Sequence, residues 1–408
     1  MTGTPLTTPM TGACRTQRLV LPGGERTWTV LDGEHRVVAA AEEYLEYLRM
    51  LGRSPNTVKS YARALALWWQ FLDVYELAWD AVAIEDLGRF LGWLRSGDEP
   101  GLASIERRPA RFSEGTVALR LQAVCSLYRY HHFNGVEAAS RLYERVFTGR
   151  HAYKPMLEHL ARRRGYERRV VRVSRPRPAT PPTLTPEQVG LILDACARWD
   201  PAARGWRGSV RDRLLWALLA ESGMRLGEAL ALQHRDWHTG LGDTPFVEVV
   251  PRDDHPHGLR VKNGGYRRIY ISDELDRLYG EYLWRLCDAG ADIAVGDLDG
   301  WWVFVNLARE PRFAPMRAET VAWQVRRLRR VLEGRVPAAF TPHWLRHTHA
   351  TALLLSGIAE HVVSRRLGHL DIQTTQNLYG WVSEDAEQRT VAQWQQLTAT
   401  WRTDEPRR

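Results

Sequence analysis

Residues 176–182, "PRPATPP", place four prolines in seven positions. No helix interior or central strand tolerates that density, because each proline removes a backbone donor and fixes φ near −65°. The 408-residue chain is therefore expected to break here into separately folded parts. The stretch just before it, "ARRRGYERRVVRVS", is strongly basic, so the whole segment reads as an exposed linker. Such a segment can lie along a phosphate backbone, with Arg162, Arg163 and Arg164 as contacts, or it can be a charge run that solubilises the chain. The organisation expected is an extension over 1–36, a helical domain over 37–148, a basic and proline-rich linker over 149–182, and a larger domain over 183–408.

On both sides of that break the apolar residues recur at helical spacing. In "SPNTVKSYARALALWWQFLDVY", Ser54 suits the N-cap and Pro55 the first helical position. Val58, Tyr61, Leu65, Trp68 and Leu72 follow three or four apart and make one apolar face. Lys59 and Arg63 lie off that face, where they can reach a phosphate. "VVAAAEEYLEYLRML", "IEDLGRFLGWLRS", "SEGTVALRLQAVCSLYRYHHF" and "VEAASRLYERVF" predict further helices, so 37–148 reads as a small helical bundle. Residues 1–36, rich in Thr, Gly and Pro, have room for a short hairpin around "RTWTVLDGE". The second domain is helical apart from "PFVEVVP" and "LRVKNGGYRRIYIS", where alternating apolar residues flank the turn signal Asn263-Gly264. The fold class expected is mainly α with a small β-hairpin or sheet.

A net charge of +8 and a pI near 9.5 favour a polyanionic partner, most simply nucleic acid. Cys14, Cys125, Cys196 and Cys287 are scattered without metal-ligand spacing and read as reduced, mostly buried thiols. No apolar run reaches membrane-spanning length and no signal-peptide pattern opens the chain, so a cytoplasmic protein without membrane contact is expected. Of the 56 basic side chains only three are lysine: Lys59, Lys154 and Lys262. Lys262 sits at the predicted hairpin turn among arginines. A solvated turn accepts any polar residue, but a lysine, unlike an arginine, can also give up its proton near neutral pH.

Four stretches of the second domain carry chemistry-bearing residues. In "LLWALLAESGMRLGEALAL" an apolar helix ends near Gly223, and Arg225 precedes a second helical run containing Glu228. In "TPHWLRHTHATALLLSG", Thr341 and Pro342 predict a helix start, with His343 and Arg346 three apart so that both side chains leave the same face of its first turn. The free N–H groups and dipole of such an end favour an anion. His343 and His347, four apart, have the spacing of a zinc helix, but the expected glutamate is replaced by Trp344 and no third ligand is evident. In "RRLGHLDIQTTQNLYGWV", His369 follows a Leu-Gly helix end and Tyr379 comes ten residues later among polar neighbours, which suits either a core position or a site.

Taken together, G-x-R-x-x-E at Arg225 and Glu228, Lys262 in a turn, H-x-L-R-H at 343–347, L-G-H at 367–369 and the downstream Tyr379 resemble the tyrosine recombinase (phage integrase) family. The preceding bundle, through "SPNTVKSYARAL", resembles that family's SAM-like core DNA-binding domain. Two departures are Met224, where leucine is usual, and a His369-to-Tyr379 interval one residue longer than in many members.

The resemblance implies an α+β catalytic domain that cuts DNA with Tyr379, forming a 3′-phosphotyrosyl bond and freeing a 5′-hydroxyl, with no metal, cofactor or ATP. It implies that Arg225 and Arg346 clamp the phosphate oxygens, that His343 assists proton transfer from Tyr379, that His369 hydrogen-bonds the phosphate, and that Glu228 positions its neighbours. Lys262 would protonate the leaving oxygen. The partners implied are double-stranded DNA bearing specific sites and further copies of the chain, assembled as a tetramer on nucleoid DNA. The helix expected over 384–401, with Val391, Trp394, Leu397 and Trp401 as an apolar stripe, would pack either on a neighbouring copy or on its own domain. A type IB topoisomerase-like relaxing enzyme and a DNA-binding protein without catalysis are the alternatives.

Overall fold

The structure, a computed structural model, describes residues 13–96 (without 23 and 25), 111–135, 143–146, 166–169, 180–369 (without 253, 260, 262–264 and 309) and 375–376. It divides into two units, residues 1–177 and 178–408.

In the first unit the strands β1 (Arg15–Val20) and β2 (Arg26–Leu31) pair antiparallel. Four helices follow: α1 (Ala39–Met50), α2 (Pro55–Val74), α3 (Ile84–Ser96) and α4 (Glu114–Phe133). Ser54 caps α2 by accepting from the Thr57 N–H at 3.2 Å, and Ser113 caps α4 in the same way through Thr116 at 3.3 Å. The apolar face read from the sequence turns inward: Val58, Leu65, Trp68 and Leu72 are buried. Trp68 meets Phe90 edge-on, with ring centroids 4.8 Å apart. Its indole N–H donates to the Tyr128 hydroxyl at 3.2 Å, which donates in turn to the Trp79 carbonyl at 2.6 Å. The hairpin joins this core through Cys14 and Val30. Burial and the neighbouring Asp73 carboxylate push the Cys14 thiol up to about 12. None of the four cysteines is in a disulfide, and Cys14, Cys125 and Cys196 are buried.

The helix expected over 136–147 is not what forms at its described end. Tyr143–Val146 is a strand, β3, paired antiparallel with β4 (Tyr166–Arg169). The register sets Glu144 opposite Arg168 and Arg145 opposite Glu167, a pairing between distant segments that local periodicity does not contain.

The second unit opens with α5 (Pro186–Cys196), whose start carries a capping box between Thr185 and Gln188. A hairpin, β5 (Ala197–Asp200) and β6 (Gly205–Gly208), leads to α6 (Val210–Ser222). Leu214, Leu215, Trp216, Leu218 and Leu219 are all buried, which makes α6 the axis of the larger core. After α7 (Leu226–Leu230), β7 (Trp237–His238), β8 (Phe246–Val249) and β9 (Arg267–Tyr270) form a three-stranded antiparallel sheet. Then come α8 (Asp273–Asp288), α9 (Ala291–Val295), α10 (Ala318–Val331), α11 (Pro342–Leu355) and α12 (Glu360–Leu367).

The sheet corrects the hairpin reading around Asn263-Gly264. Leu259 and Val261 lie outside any strand, and β9 pairs with β8, Val249 opposite Arg267, across a connection of 17 residues. Arg252 explains part of that long excursion: its guanidinium forks onto Asp236, at 2.6 Å for both bonds, and holds the loop to the 3₁₀ turn His234–Asp236. No helix among the described residues is long and apolar enough to cross a membrane.

Tyr128→Phe removes the one hydroxyl shared by Trp68 and Trp79. Urea unfolding of the full chain is expected to show the first unit destabilised by about 1–3 kcal/mol. An unchanged midpoint would mean that the buried relay contributes nothing.

Candidate active site

Helix α6 ends at Gly223, whose φ of +64° is the left-handed conformation that a helix C-cap requires. A Cβ there would stand 2.7 Å from a His349 ring carbon and 2.9 Å from Leu367, so both the turn and the packing demand glycine. The chain then passes Met224, which is buried, and Arg225 takes the N-cap position of α7. Glu228, one turn on, accepts the Arg225 backbone N–H at 2.9 Å and its guanidinium at 2.8 Å. The arginine and glutamate of the sequence pattern are thus one local unit.

Helix α11 starts at Pro342 with Thr341 in the N-cap position, although the Thr341 hydroxyl makes no capping bond. The sequence reading put His343 and Arg346 on one face. The structure separates them: Arg346 is 2% exposed, whereas His343 stays exposed with its ring edge-on to His347 at 4.4 Å. A spacing of three residues leaves about 60° between two side chains, enough for one to turn inward. Arg346 donates to the Gly223 carbonyl and to the Leu367 carbonyl, each at 2.8 Å. It therefore ties the C-terminal end of α6 to that of α12.

The end of α12 is the meeting point. Three successive carbonyls there accept from three different guanidiniums. Arg366 O receives Arg267 Nε at 2.9 Å, Leu367 O receives Arg346, and Gly368 O receives Arg225 over longer contacts of 3.4 and 3.5 Å. These are the carbonyls that a helix leaves without internal partners, at the negative end of its dipole. Gly368, with φ +69°, turns the chain so that His369 follows directly.

Arg267 was not singled out by sequence reasoning. Its signal is position: β9 alternates buried and exposed, and Arg267 stands at an inward place beside Ile269. It is 9% exposed and donates to Glu228 at 2.6 Å. Burial works to raise the Glu228 carboxyl, but the hydrogen bond and charge of Arg267, with the Arg225 backbone and charge, outweigh it and hold the group below its ordinary range. Three guanidiniums against one carboxylate leave a formal charge of 3 − 1 = +2 around the α12 terminus. That excess suits a dianionic or developing anionic centre.

The neighbouring histidines respond to the same cations. Burial, then Arg346, Arg225 and Arg267, lower His369 to about 4. Its Nδ1 lies 2.8 Å from the hydroxyl of Thr375, a buried residue also missed from the sequence. His347 falls to about 4 through burial, His343 and Arg346. His349 falls equally, chiefly through burial, and its Nε2 accepts from Arg366 at 3.0 Å.

Arg225, Glu228, Arg346 and His369 thus come together. Lys262, Tyr379, Arg162, Arg163, Arg164 and the helix expected over 384–401 lie outside the described residues. In the first unit Arg63 is exposed, and Lys59 holds its ammonium 4.7 Å over the Trp28 ring. Among the described residues, no group of three or more His, Cys, Asp or Glu side chains is placed to hold a metal ion.

Comparison with known proteins follows the same division of the chain. Residues 182–384 match the Phage integrase family, and residues 41–132 match the phage integrase N-terminal SAM-like domain. Transposase A from transposon Tn554 of Staphylococcus aureus is 30% identical over 361 residues, covering 88% of this chain and 91% of that protein. Tyrosine recombinase XerD of Mycobacterium tuberculosis is 28% identical over 338 residues, 82% of this chain and 90% of that one. Among solved structures, the Tn1549 transposon integrase bound to transposon right end DNA shares the fold, with a TM-score of 0.54 at 16% identity and coverage of 86% and 99%. XerH recombinase bound to a palindromic difH substrate gives the same TM-score, at 16% identity and coverage of 86% and 82%.

Because His347, His349 and His369 protonate near 4 in the folded protein and near 6.5 when unfolded, the unfolded state binds more protons between those values. Stability is therefore complete above pH 6.5 and lost progressively as the pH falls toward 4. Thermal melts across that window are expected to show a steep fall in the second unit's Tm. A flat profile would mean that these rings are not held neutral.

Proposed function

From the membership of this chain in the phage integrase family of tyrosine recombinases, we propose that it breaks and rejoins double-stranded DNA at specific sites, with Tyr379 as nucleophile and the cationic end of α12 as the seat of the scissile phosphate. The observation that carries this reading is the convergence of Arg225, Arg346 and His369 there. A phosphodiester already bears one negative charge, and in-line attack spreads more over its equatorial oxygens. Fixed guanidiniums meet that charge without titrating.

In this reading the Tyr379 oxygen attacks phosphorus, a P–O bond to tyrosine forms, and the P–O5′ bond breaks. The phenolic proton leaves toward His343, and Lys262 delivers a proton to the departing 5′-oxygen. Rejoining reverses each step, with the 5′-hydroxyl attacking and tyrosine leaving, so the bond energy is kept and ATP is not consumed. His369 is neutral at working pH, and when Thr375 donates to its Nδ1 the ring proton sits on Nε2 as a hydrogen-bond donor for the phosphate.

In this reading the isolated lysine has a chemical reason. An arginine at 262 would hold its proton too tightly to protonate an alkoxide, whereas an ammonium near other cations gives it up more readily. Lys59, Arg63 and Arg162–Arg164 are assigned to backbone phosphates, where affinity should fall steeply with salt. The DNA partner is supported by the substrates in the similar structures, while a tetramer on paired sites and a place on cytoplasmic nucleoid DNA are part of the proposal. The likeness to a transposase and to a transposon integrase supports the movement of a mobile element as the biological role.

Two experiments test this. Wild type, but not Tyr379→Phe, should form an SDS-resistant adduct with nicked suicide substrates built from the DNA flanking the gene, in EDTA. An adduct that survives in the variant would move the nucleophile elsewhere. Lys262→Arg should cleave an ordinary scissile phosphate about 10²–10⁴-fold more slowly, the usual worth of a general acid. It should recover on DNA with a 5′-bridging sulfur, because a thiolate leaves without a proton. Failure of the sulfur to restore cleavage would remove the lysine from that step.

A further inference from the structure

The geometry points to Arg267 as a positioning residue for strand cleavage, one that never meets the DNA but fixes Arg225 and His369 relative to each other. The inference rests on the reading of those two as phosphate-holding groups. Three of the five N–H donors of Arg267 have named partners on two separate elements. On one side, Nη2 and Nη1 donate to the two oxygens of Glu228 at 2.6 and 3.4 Å. Glu228 in turn holds both the backbone and the guanidinium of Arg225. On the other side, Nε donates to the Arg366 carbonyl at 2.9 Å, three residues before His369.

The contact with α12 goes beyond that hydrogen bond. A Cβ on Gly368 would stand 2.7 Å from Arg267 Nη1 and 2.9 Å from Cζ, so the guanidinium packs directly on the backbone that turns toward His369. Side chains at 8% and 1% exposure make Arg267 and Glu228 a buried pair behind the surface that a duplex would meet. Arg225 and His369 are 144 residues apart in sequence, and Arg267 with Glu228 is a direct bridge between the elements that carry them.

The fork matters as much as the charge. A lysine at 267 can neutralise Glu228 but cannot also hold Arg366 O in the same plane. Arg267→Lys is therefore expected to keep the fold and the DNA affinity and to lose the tether on α12. The experiment measures single-turnover adduct formation, DNA Kd and Tm for wild type and Arg267→Lys on suicide substrates with an ordinary or a 5′-bridging sulfur phosphate. The expected result is cleavage slowed about 10- to 100-fold by the misplacement of the phosphate-holding groups, with Kd unchanged and no recovery on the sulfur substrate.

Cleavage at the wild-type rate would overturn the inference. So would recovery on sulfur, which would place the defect at the leaving group, or a Kd that weakens in step with the rate, which would leave a purely structural role. If Arg267→Lys does not fold, Arg267→Gln leaves Glu228 paired with Arg225 and carries the same expectation. Wild type forming no adduct at all would instead sink the recombinase reading, and this inference with it; an active wild type beside an equally active Arg267→Lys sinks the positioning role alone.

Discussion

Three guanidiniums gathered within hydrogen-bond reach of one helix terminus repel one another, and burial strengthens that repulsion. The second unit is organised around offsetting it. Glu228 supplies the compensating charge, shared between Arg225 and Arg267. The last carbonyls of α12 supply dipoles, one to each arginine. Removing a partner from such a cluster leaves an uncompensated buried charge, which is why the pieces stand or fall together. The elements brought to one point come from three distant stretches of the chain: the junction of α6 with α7, strand β9, and the consecutive helices α11 and α12.

The compensation is incomplete, and the proposed function draws on the remainder. One carboxylate does not neutralise three arginines, so the site keeps a positive charge suited to a phosphodiester. Burial first, and the nearby cations after it, hold His369 and His347 neutral, where each can serve as a hydrogen-bond donor or acceptor instead of a further cation. Electrostatic preorganisation of this kind needs no rearrangement when charge develops on the phosphate. The helix ends that hold the arginines are fixed by glycines at positive φ, Gly223 and Gly368, and a side chain at either would collide with a residue of the site. Backbone conformation, packing and chemistry therefore constrain the same few positions.

Much of this was legible in the sequence wherever the signal was local. Ser54 and Pro342 marked helix starts, Gly223 and Gly368 marked helix ends, and the apolar stripe of α2 became core. Arg225 and Glu228 stand three residues apart, and one turn of helix brings them into contact. What stayed hidden depended on pairing between distant segments. Residues 143–146 read as helix because their periodicity is helical, yet they pair with 166–169. The turn signal at Asn263-Gly264 suggested a local hairpin, whereas β9 takes β8 as its partner. Arg267 passed unnoticed because the sequence around it is full of arginines. Its inward place on β9 distinguishes it, and that place depends on the sheet.

The central claim is that the scissile phosphate sits at the cationic end of α12. The most direct test is a crystal structure of the covalent complex with a suicide substrate. The account expects the phosphate bonded to Tyr379, with nonbridging oxygens in hydrogen-bond reach of Arg225, Arg346 and His369, and with Arg267 still buried on Glu228 and Arg366. A phosphotyrosyl bond formed away from the α12 terminus, with those three side chains making no contact to it, would contradict the account.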